Sequence, residues 1–125
     1  SFSRNLRNEI GKSRKYYFID LGIRNAIINN FNPLTLRNDV GQLWENFCVM
    51  ERIKKNEYDR RHVNTYFWRT YDQKEIDYIE EIDGKLYAFE FKWNETMVKP
   101  PKIFMVTYPE SEFKVISKNN LFEFI

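Results

Sequence analysis

The sequence predicts a mixed α/β fold in which helices flank a three-strand antiparallel meander. Two observations carry this prediction. Asp83-Gly84 joins two β-prone runs at 75–82 and 85–93. An Asp-Gly step between such runs is the strongest short hairpin signal, because a type I′ turn needs positive φ at both central residues. Ahead of them, apolar residues repeat at helical spacing over residues 40–55, which indicates a long amphipathic helix.

The other elements follow from local signals. Residues 1–13 are polar and are interpreted as a linker, and residues 14–125 as one domain. The final strand is expected to join the sheet in parallel. In chain order the sequence predicts a strand at 16–19, a helix after Asp20, a connection at 31–37, the helix at 40–55 capped by Asn38 or Asp39, a strand at 64–70, the hairpin, a short helix at 103–108 and a strand at 113–116.

Composition limits the chemistry. The net charge of +2 is too mild to indicate nucleic acid by itself. One Cys and one His exclude an internal disulfide and make a thiolate or imidazole zinc site very improbable, so any metal is expected to be Mg²⁺ or Mn²⁺ bound by oxygens. The lone Cys48 fits a reducing, cytoplasmic location. No membrane span is predicted, and the opening Ser-Phe-Ser suggests a piece of a longer protein.

The predicted turn also fixes which hairpin residues face each other. A two-residue loop at 83–84 sets Asp77 opposite Glu90 and Glu75 opposite Lys92. Directly opposed side chains have Cβ atoms about 5 Å apart, where two like charges destabilise a sheet. A divalent cation between Asp77 and Glu90 would turn that repulsion into attraction, so the pair is a candidate metal site.

Alternation along the strands sorts the side chains onto two faces. From the hairpin alone, the favoured interpretation of the charged face is a solvated surface with Glu75–Lys92 and Asp77–Lys92 ion pairs. The face predicted to be core carries Ile76, Tyr78, Ile82, Tyr87, Phe89, Phe91 and Trp93. The other carries Glu75, Asp77, Ile79, Glu81, Leu86, Ala88, Glu90 and Lys92.

The long helix adds a third carboxylate. Its apolar stripe is predicted to be Val40, Leu43, Trp44, Phe47 and Met50, and its polar side Gly41, Glu45, Cys48, Val49 and Arg52. Glu45 is an ordinary boundary residue unless the helix packs over the charged face of the sheet. In that case Glu45, Asp77 and Glu90 would hold or support a divalent ion, and Lys92 would stabilise charge or orient a water molecule.

Asp77 followed by Glu90-Phe91-Lys92, with Glu45 on a preceding helix, resembles the PD-(D/E)xK restriction-endonuclease-like nucleases. The resemblance implies a restriction-endonuclease-like mixed sheet, metal ligands Asp77, Glu90 and the Phe91 carbonyl, and catalytic roles for Glu45 and Lys92. Five blocks resemble an uncharacterised domain found C-terminal to AAA+-type ATPases, which implies that ATP is bound only by an ATPase domain ahead of this chain. The blocks are Lys15–Ala26, Gly41–Asn46, Trp68–Thr70, Lys74–Asp77 and Phe89–Lys92.

Three functions remain open at this point. The first is a metal-dependent phosphodiesterase acting on DNA. The second is a nucleic-acid-binding module without catalysis, in which Arg52, Arg69 and Lys74 contact phosphates and Trp68 or Trp93 stacks on bases. The third is a regulatory or protein-interaction domain for the ATPase. Plain solvation is the competing explanation for each basic residue, and the sequence does not indicate an oligomeric state.

Overall fold

The computed structural model describes residues 10–12 and 39–125. The predicted strand at 16–19, the helix after Asp20 and the connection at 31–37 lie outside them. No helix in the described ranges is long and apolar enough to cross a bilayer. The elements are β1 (Ile10–Lys12), α1 (Val40–Tyr58), β2 (Asn64–Arg69), β3 (Glu75–Ile82), β4 (Lys85–Phe91), α2 (Lys102–Thr107), β5 (Glu112–Ile116) and α3 (Leu121–Phe124).

The described strands form one five-stranded sheet in the order β1-β2-β3-β4-β5. The three pairs from β1 to β4 are antiparallel, so the predicted meander β2-β3-β4 is confirmed. Strand β1 was not predicted, and it lies within the segment interpreted as a linker. Its three residues, Ile-Gly-Lys, are too few to show the alternation by which strands are identified.

The turn between β3 and β4 has the predicted geometry. Asp83 has φ 51° and Gly84 has φ 82°, the two positive values that a type I′ turn requires. The register from Ile82–Lys85 to Tyr78–Phe89 is the one that a two-residue loop sets. The turn therefore fixes the pairing of the two strands, as the sequence predicts.

A β-bulge interrupts β3 beside Asp77. On the β2 side the register changes between Tyr66, which pairs with Ile79, and Trp68, which pairs with Ile76. Asp77 and Tyr78 therefore both face the single residue Phe67, and strict alternation fails across them. A bulge bends its strand and increases the local twist.

The bulge changes which hairpin residues share a core. Ile76 packs in the same buried cluster as Ile79, although alternation predicted opposite faces. The prediction that the second face is charged and solvated is wrong for the middle of that face. Phe104 of α2 covers it there and meets the ring of Trp68 edge-on at 5.4 Å. The buried members of this cluster are Trp68, Ile76, Ile79, Leu86, Ala88 and Phe104.

Strand β5 runs parallel to β4, as expected. An ion pair of 2.7 Å joins Lys85 and Glu112, the first residues of the two strands. Beyond their other ends the Lys92 amide donates to the Ile116 carbonyl at 2.9 Å. Both strands therefore point the same way, and α2 lies in the connection between them, as parallel pairing requires.

The chain divides into two compact units. The described residues of the first are 10–12, 61–90 and 96–115, and those of the second are 39–60, 91–95 and 116–125. The cluster around Phe104 belongs to the first unit.

In the second unit, α1 is longer than predicted and buries a different line of residues. Trp44, Cys48, Arg52 and Asn56 are all buried and follow each other at intervals of four. Trp44 is buried as predicted, but Phe47 is only half-buried. Cys48, Val49 and Arg52, assigned to the polar side, are buried instead. Arg52 is held there by its hydrogen bond to the Phe124 carbonyl, which hydropathy does not register. Asp39 is the N-cap residue, although its side chain makes no capping hydrogen bond.

Burial also sets the chemistry of the Cys48 thiol. The side chain has no solvent exposure. Burial and, as the smaller cause, the charge of Glu45 one helical turn earlier together raise the pKa of Cys48 from 9.0 to about 12. At neutral pH Cys48 is therefore a protonated, inert core residue.

The two glycines with room for a side chain should respond in opposite directions. An added Cβ at Gly41 or Gly84 would meet no atom within 4 Å. Gly84→Ala should destabilise the protein by about 1–2 kcal/mol, because an L-residue is strained at positive φ. Gly41→Ala, inside α1, should stabilise it by up to about 1 kcal/mol. Urea denaturation measures both, and equal signs would contradict the turn assignment.

Ionisation of the Cys48 thiol should make the free energy of unfolding depend on pH in the alkaline range. The folded-state pKa of Cys48 is raised, so the contribution of the protonated thiol to stability is fully present below pH 9 and is lost as the pH rises toward 12. Between those limits the stability difference between wild type and Cys48→Ala should fall by up to about 1.4 kcal/mol per pH unit. Urea denaturation at several pH values measures it.

The charge of Glu45 provides a control for that titration. Glu45→Gln should lower the Cys48 pKa but leave it above 9.0, because burial is the larger cause. Ultraviolet absorbance of the thiolate follows the titration. An unchanged pKa in Glu45→Gln would show that the carboxylate does not act on the thiol.

Candidate functional site

Asp77 and Glu90 are the first residues beyond the described pairing of β3 with β4. That pairing ends at Tyr78–Phe89, and the next residue on each strand is Asp77 and Glu90. Both are half-buried and belong to the first unit. The register that predicts their juxtaposition is therefore present up to the adjacent pair.

The bulge affects the two acids differently. Asp77 lies within it, whereas Glu90 lies on β4, whose partner residues in β3 show no register change. Bulges are over-represented beside active sites because they re-aim a side chain. The direction of the Asp77 side chain therefore depends on the bulge and does not follow from counting residues along the strand.

Glu90 lines a groove of the first unit. The groove has a volume of about 290 Å³. It brings two lysines and two carboxylates to one surface, which makes it electrostatically mixed. Within the described part of the chain, Lys99 makes no ion pair. The lining residues are Lys74, Glu75, Glu90, Val98, Lys99, Pro101 and Phe113.

The turn between β2 and β3 contributes Lys74 to this groove. Arg69 Nη2 lies 2.9 Å from Glu75 Oε2 across the base of the turn, and Lys74 Nζ lies 4.0 Å from Asp72 Oδ2. A hydrogen bond from the Thr70 hydroxyl is the main cause that lowers the pKa of Asp72. Charges of both signs are thus held on this turn.

Glu45, Phe91 and Lys92 belong to the second unit. Glu45 is half-buried on α1, one turn before Cys48. Lys92 is half-buried, and its backbone amide donates to the Ile116 carbonyl. The ring of Phe91 meets Phe124 edge-on at 5.6 Å. All three positions are therefore held by secondary structure or by core contacts of that unit.

The predicted nucleic-acid contacts separate into exposed and buried residues. Arg69 and Lys74 are exposed or partly exposed on their turn. The prediction for Arg52 is wrong, because it is 8% exposed. Its Nη1 donates to the Phe124 carbonyl at 2.6 Å, and the guanidinium lies 4.6 Å from the centre of that ring. Trp68 is fully buried and offers no face to a base.

Trp93 belongs to an aromatic cluster of the second unit. Its ring meets Trp44 edge-on at 5.3 Å, and the ammonium group of Lys118 lies 4.7 Å from its centre. The indole nitrogen of Trp44 donates to the Ile116 carbonyl at 3.2 Å. The two rings therefore have a structural role in this unit.

A three-ligand metal cluster is absent from the described residues. Nowhere in ranges 10–12 and 39–125 do three His, Cys, Asp or Glu side chains lie close enough to hold one ion. Asp77 and Glu90 supply two oxygen donors of the type that Mg²⁺ and Mn²⁺ prefer. The donor chemistry fits these ions, and a carbonyl or water molecules would have to complete the coordination.

Glu80 is a buried carboxylate that sequence reasoning left out. It has no solvent exposure, and the Tyr78 hydroxyl donates to its Oε2 at 2.8 Å. The two residues are separated by one position on β3, so they share a face of the strand. The position of Glu80 at the alternate spacing shared by Ile76, Tyr78 and Ile82, the residues predicted to face the core, is the signal that could have found this pair.

Comparisons with known proteins identify a family. A family model described as a domain of unknown function, DUF4143, matches residues 40–118. An uncharacterised protein of Mycobacterium tuberculosis and another of Mycobacterium bovis are each 30% identical to the chain over 87 residues. This match covers 68% of the chain but only 19% of each relative, so the chain spans about a fifth of their length.

No solved structure matches the chain. The matched family region begins at the first residue of α1 and continues past the end of β5. It therefore includes the hairpin and the groove of the first unit as well as the long helix of the second. On the strength of this match, which covers well over half of the sequence, the chain belongs to the DUF4143 family.

Proposed function

We propose that this domain is a metal-dependent phosphodiesterase of the PD-(D/E)xK type that acts on DNA. The observation that carries the proposal is the position of Glu90. It is part of the Glu-x-Lys motif, it follows the confirmed hairpin register, and it opens into a groove that also contains Lys74 and Lys99. Those lysines supply positive charge where a phosphodiester would approach the acids.

Each motif residue has a role in this proposal. Asp77, Glu90 and the Phe91 carbonyl would hold the ion, and Glu45 would support its ligands directly or through water. A bound Mg²⁺ or Mn²⁺ ion would lower the pKa of a water molecule and polarise the phosphodiester. Lys92 would position the attacking water and screen the charge that develops on the phosphate oxygens.

The setting of the domain is part of the proposal. The resemblance implies an AAA+-type ATPase segment in the same polypeptide, which would bind ATP and present DNA. The relatives are long enough to contain such a segment, since the matched region is 19% of their length. This domain itself would need only a divalent cation.

A specific observation favours a second function. The described residues contain no three-ligand metal group, so the same groove could serve a nucleic-acid-binding module that has no catalytic centre. Binding would then require the lysines but neither the acids nor the metal. The two functions therefore differ in their response to substitution of Asp77.

Substitution of the motif residues tests hydrolysis. In the full-length protein with Mn²⁺, Asp77→Ala and Glu90→Ala should abolish nicking of plasmid and branched DNA, because each removes a metal ligand. Lys92→Ala should slow nicking by about 10²- to 10³-fold, the usual effect of removing one group that stabilises transition-state charge. Agarose gels measure nicking, with chelator as the metal-free reference.

Matched controls come from exposed residues of α1. Glu57→Gln removes a negative charge, as the substitutions of Asp77 and Glu90 do, and Lys54→Ala removes a positive charge, as Lys92→Ala does. Both residues lie outside the motif, and both substitutions should leave nicking unchanged. Calorimetric titration with Mn²⁺ should show binding that is lost in Asp77→Ala and retained in Glu57→Gln. Nicking that persists in both Asp77→Ala and Glu90→Ala would contradict the phosphodiesterase proposal.

A further inference from the structure

Tyr71 is a fully exposed aromatic side chain in the turn between β2 and β3. It follows Trp68 by three residues, and Trp68, which was expected to stack on a base, is buried. It contributes nothing to the core. Burial therefore does not explain an aromatic residue at this position, and the ring is available to a ligand.

The backbone of this turn is tightly bonded. The Thr70 amide donates to the Lys74 carbonyl at 2.9 Å, and the Gln73 amide donates to the Thr70 carbonyl at 3.2 Å. The Lys74 amide donates to the Thr70 hydroxyl, which in turn donates to Asp72. Gln73 holds a positive φ of 68°. A ring carried on such a turn loses little backbone entropy when a ligand binds.

The turn leads directly into the groove that contains Glu90. Lys74, at the far end of the turn, lines this groove together with Lys99. Residues 96–109 include Lys99 and Lys102 and no acidic residue. An exposed ring on the turn that carries Lys74, together with ammonium groups that can follow a phosphate backbone, is the combination by which proteins bind single-stranded nucleic acid.

We propose that Tyr71 stacks on an unpaired base of a nucleic-acid strand whose phosphates are bound by Lys74 and Lys99 in the groove. This inference rests on the proposed function and names its substrate class. The strand is single-stranded, or is the unpaired part of a frayed or branched end. A continuous duplex offers no free base face for the ring, so it binds only through its phosphates.

Binding measurements in chelator separate stacking from hydrolysis. Fluorescence anisotropy follows the binding of the full-length protein to a labelled DNA strand of about 16 nucleotides, the upper end of the usual site size. Tyr71→Ala should raise its Kd by about 5- to 150-fold, the loss expected for one stacked base. Tyr71→Phe should bind like wild type, because it keeps the ring.

A second exposed tyrosine provides the control. Tyr58, at the end of α1, is also highly exposed, and Tyr58→Ala should leave the Kd unchanged. Lys99→Gln should weaken binding and reduce the slope of log K against log salt by about 0.7, as loss of one phosphate contact does. A matched duplex should bind Tyr71→Ala and wild type equally.

Several results would overturn the inference. They are failure of wild type to bind the single strand, equal binding by wild type and Tyr71→Ala, an equal loss with the duplex, or a Tyr71→Phe defect as large as that of Tyr71→Ala. The last result would assign the role to the hydroxyl, as in a contact with another protein. Circular dichroism of each variant shows whether it is folded, and Tyr71→Phe tests the same point without loss of the ring.

The plasmid-nicking assay distinguishes a failure of the stacking inference from a failure of the proposed function. If single-strand binding depends on Tyr71 but no Asp77-dependent nicking occurs, the stacking site is supported and the proposed hydrolysis is contradicted. If nicking depends on Asp77 while single-strand binding does not depend on Tyr71, hydrolysis is supported and the stacking site is contradicted. The two proposals therefore fail independently.

Discussion

The type I′ turn at Asp83-Gly84 is the constraint on which the rest of the hairpin depends. A side-chain period of two leaves no intermediate register, so a shift of one residue would move every side chain to the opposite face. The positive φ values at both turn residues remove that freedom. Burial of Ile79 and Ala88 against α2 then adds stability to a pairing that the turn has already selected.

The bulge in β3 explains why Ile76 and Ile79 share one core. Strict alternation would divide Ile76 from Ile79, and the extra residue brings them into one cluster beneath Phe104. The opposite face keeps Tyr78 and Phe89, whose ring centres lie 6.1 Å apart. Asp77 and Glu90 come directly after the last described pair of β3 and β4, so both are next to buried residues of these strands, and Glu90 also lines the groove.

The sequence was most informative where one local interaction decides the outcome. Asp83-Gly84 predicted a turn, a register and two strand boundaries, because φ preferences act over two residues. The parallel direction of β5 was also anticipated. The bulge was not predicted, because it depends on how β2 matches β3 across the sheet, and no residue near Asp77 signals it. Similarly, Arg52 was assigned to a polar surface because its contact with Phe124, 72 residues later, has no local signature.

For the candidate site, prediction extends only to the residues that the turn controls. Asp77 and Glu90 were paired by counting, and the register reaches the position next to them. The basic neighbours of Glu90 could not be found in this way, since Lys74 and Lys99 come from separate segments that meet only after folding. Tyr71 was overlooked because the stacking role was assigned to Trp68 or Trp93, although Trp68 is the ring that the core buries.

Strand β5 has a consequence for behaviour in concentrated solution. Among the described strands it lies at one end of the sheet, and strand edges are the places where the sheets of two molecules can join and start aggregation. Here Glu112 and Lys114 occupy alternate, exposed positions along that edge. A second copy adding in parallel register would set like charges opposite each other, and one adding in either direction would desolvate them, so the same glutamate that pairs with Lys85 also disfavours growth of the sheet between molecules.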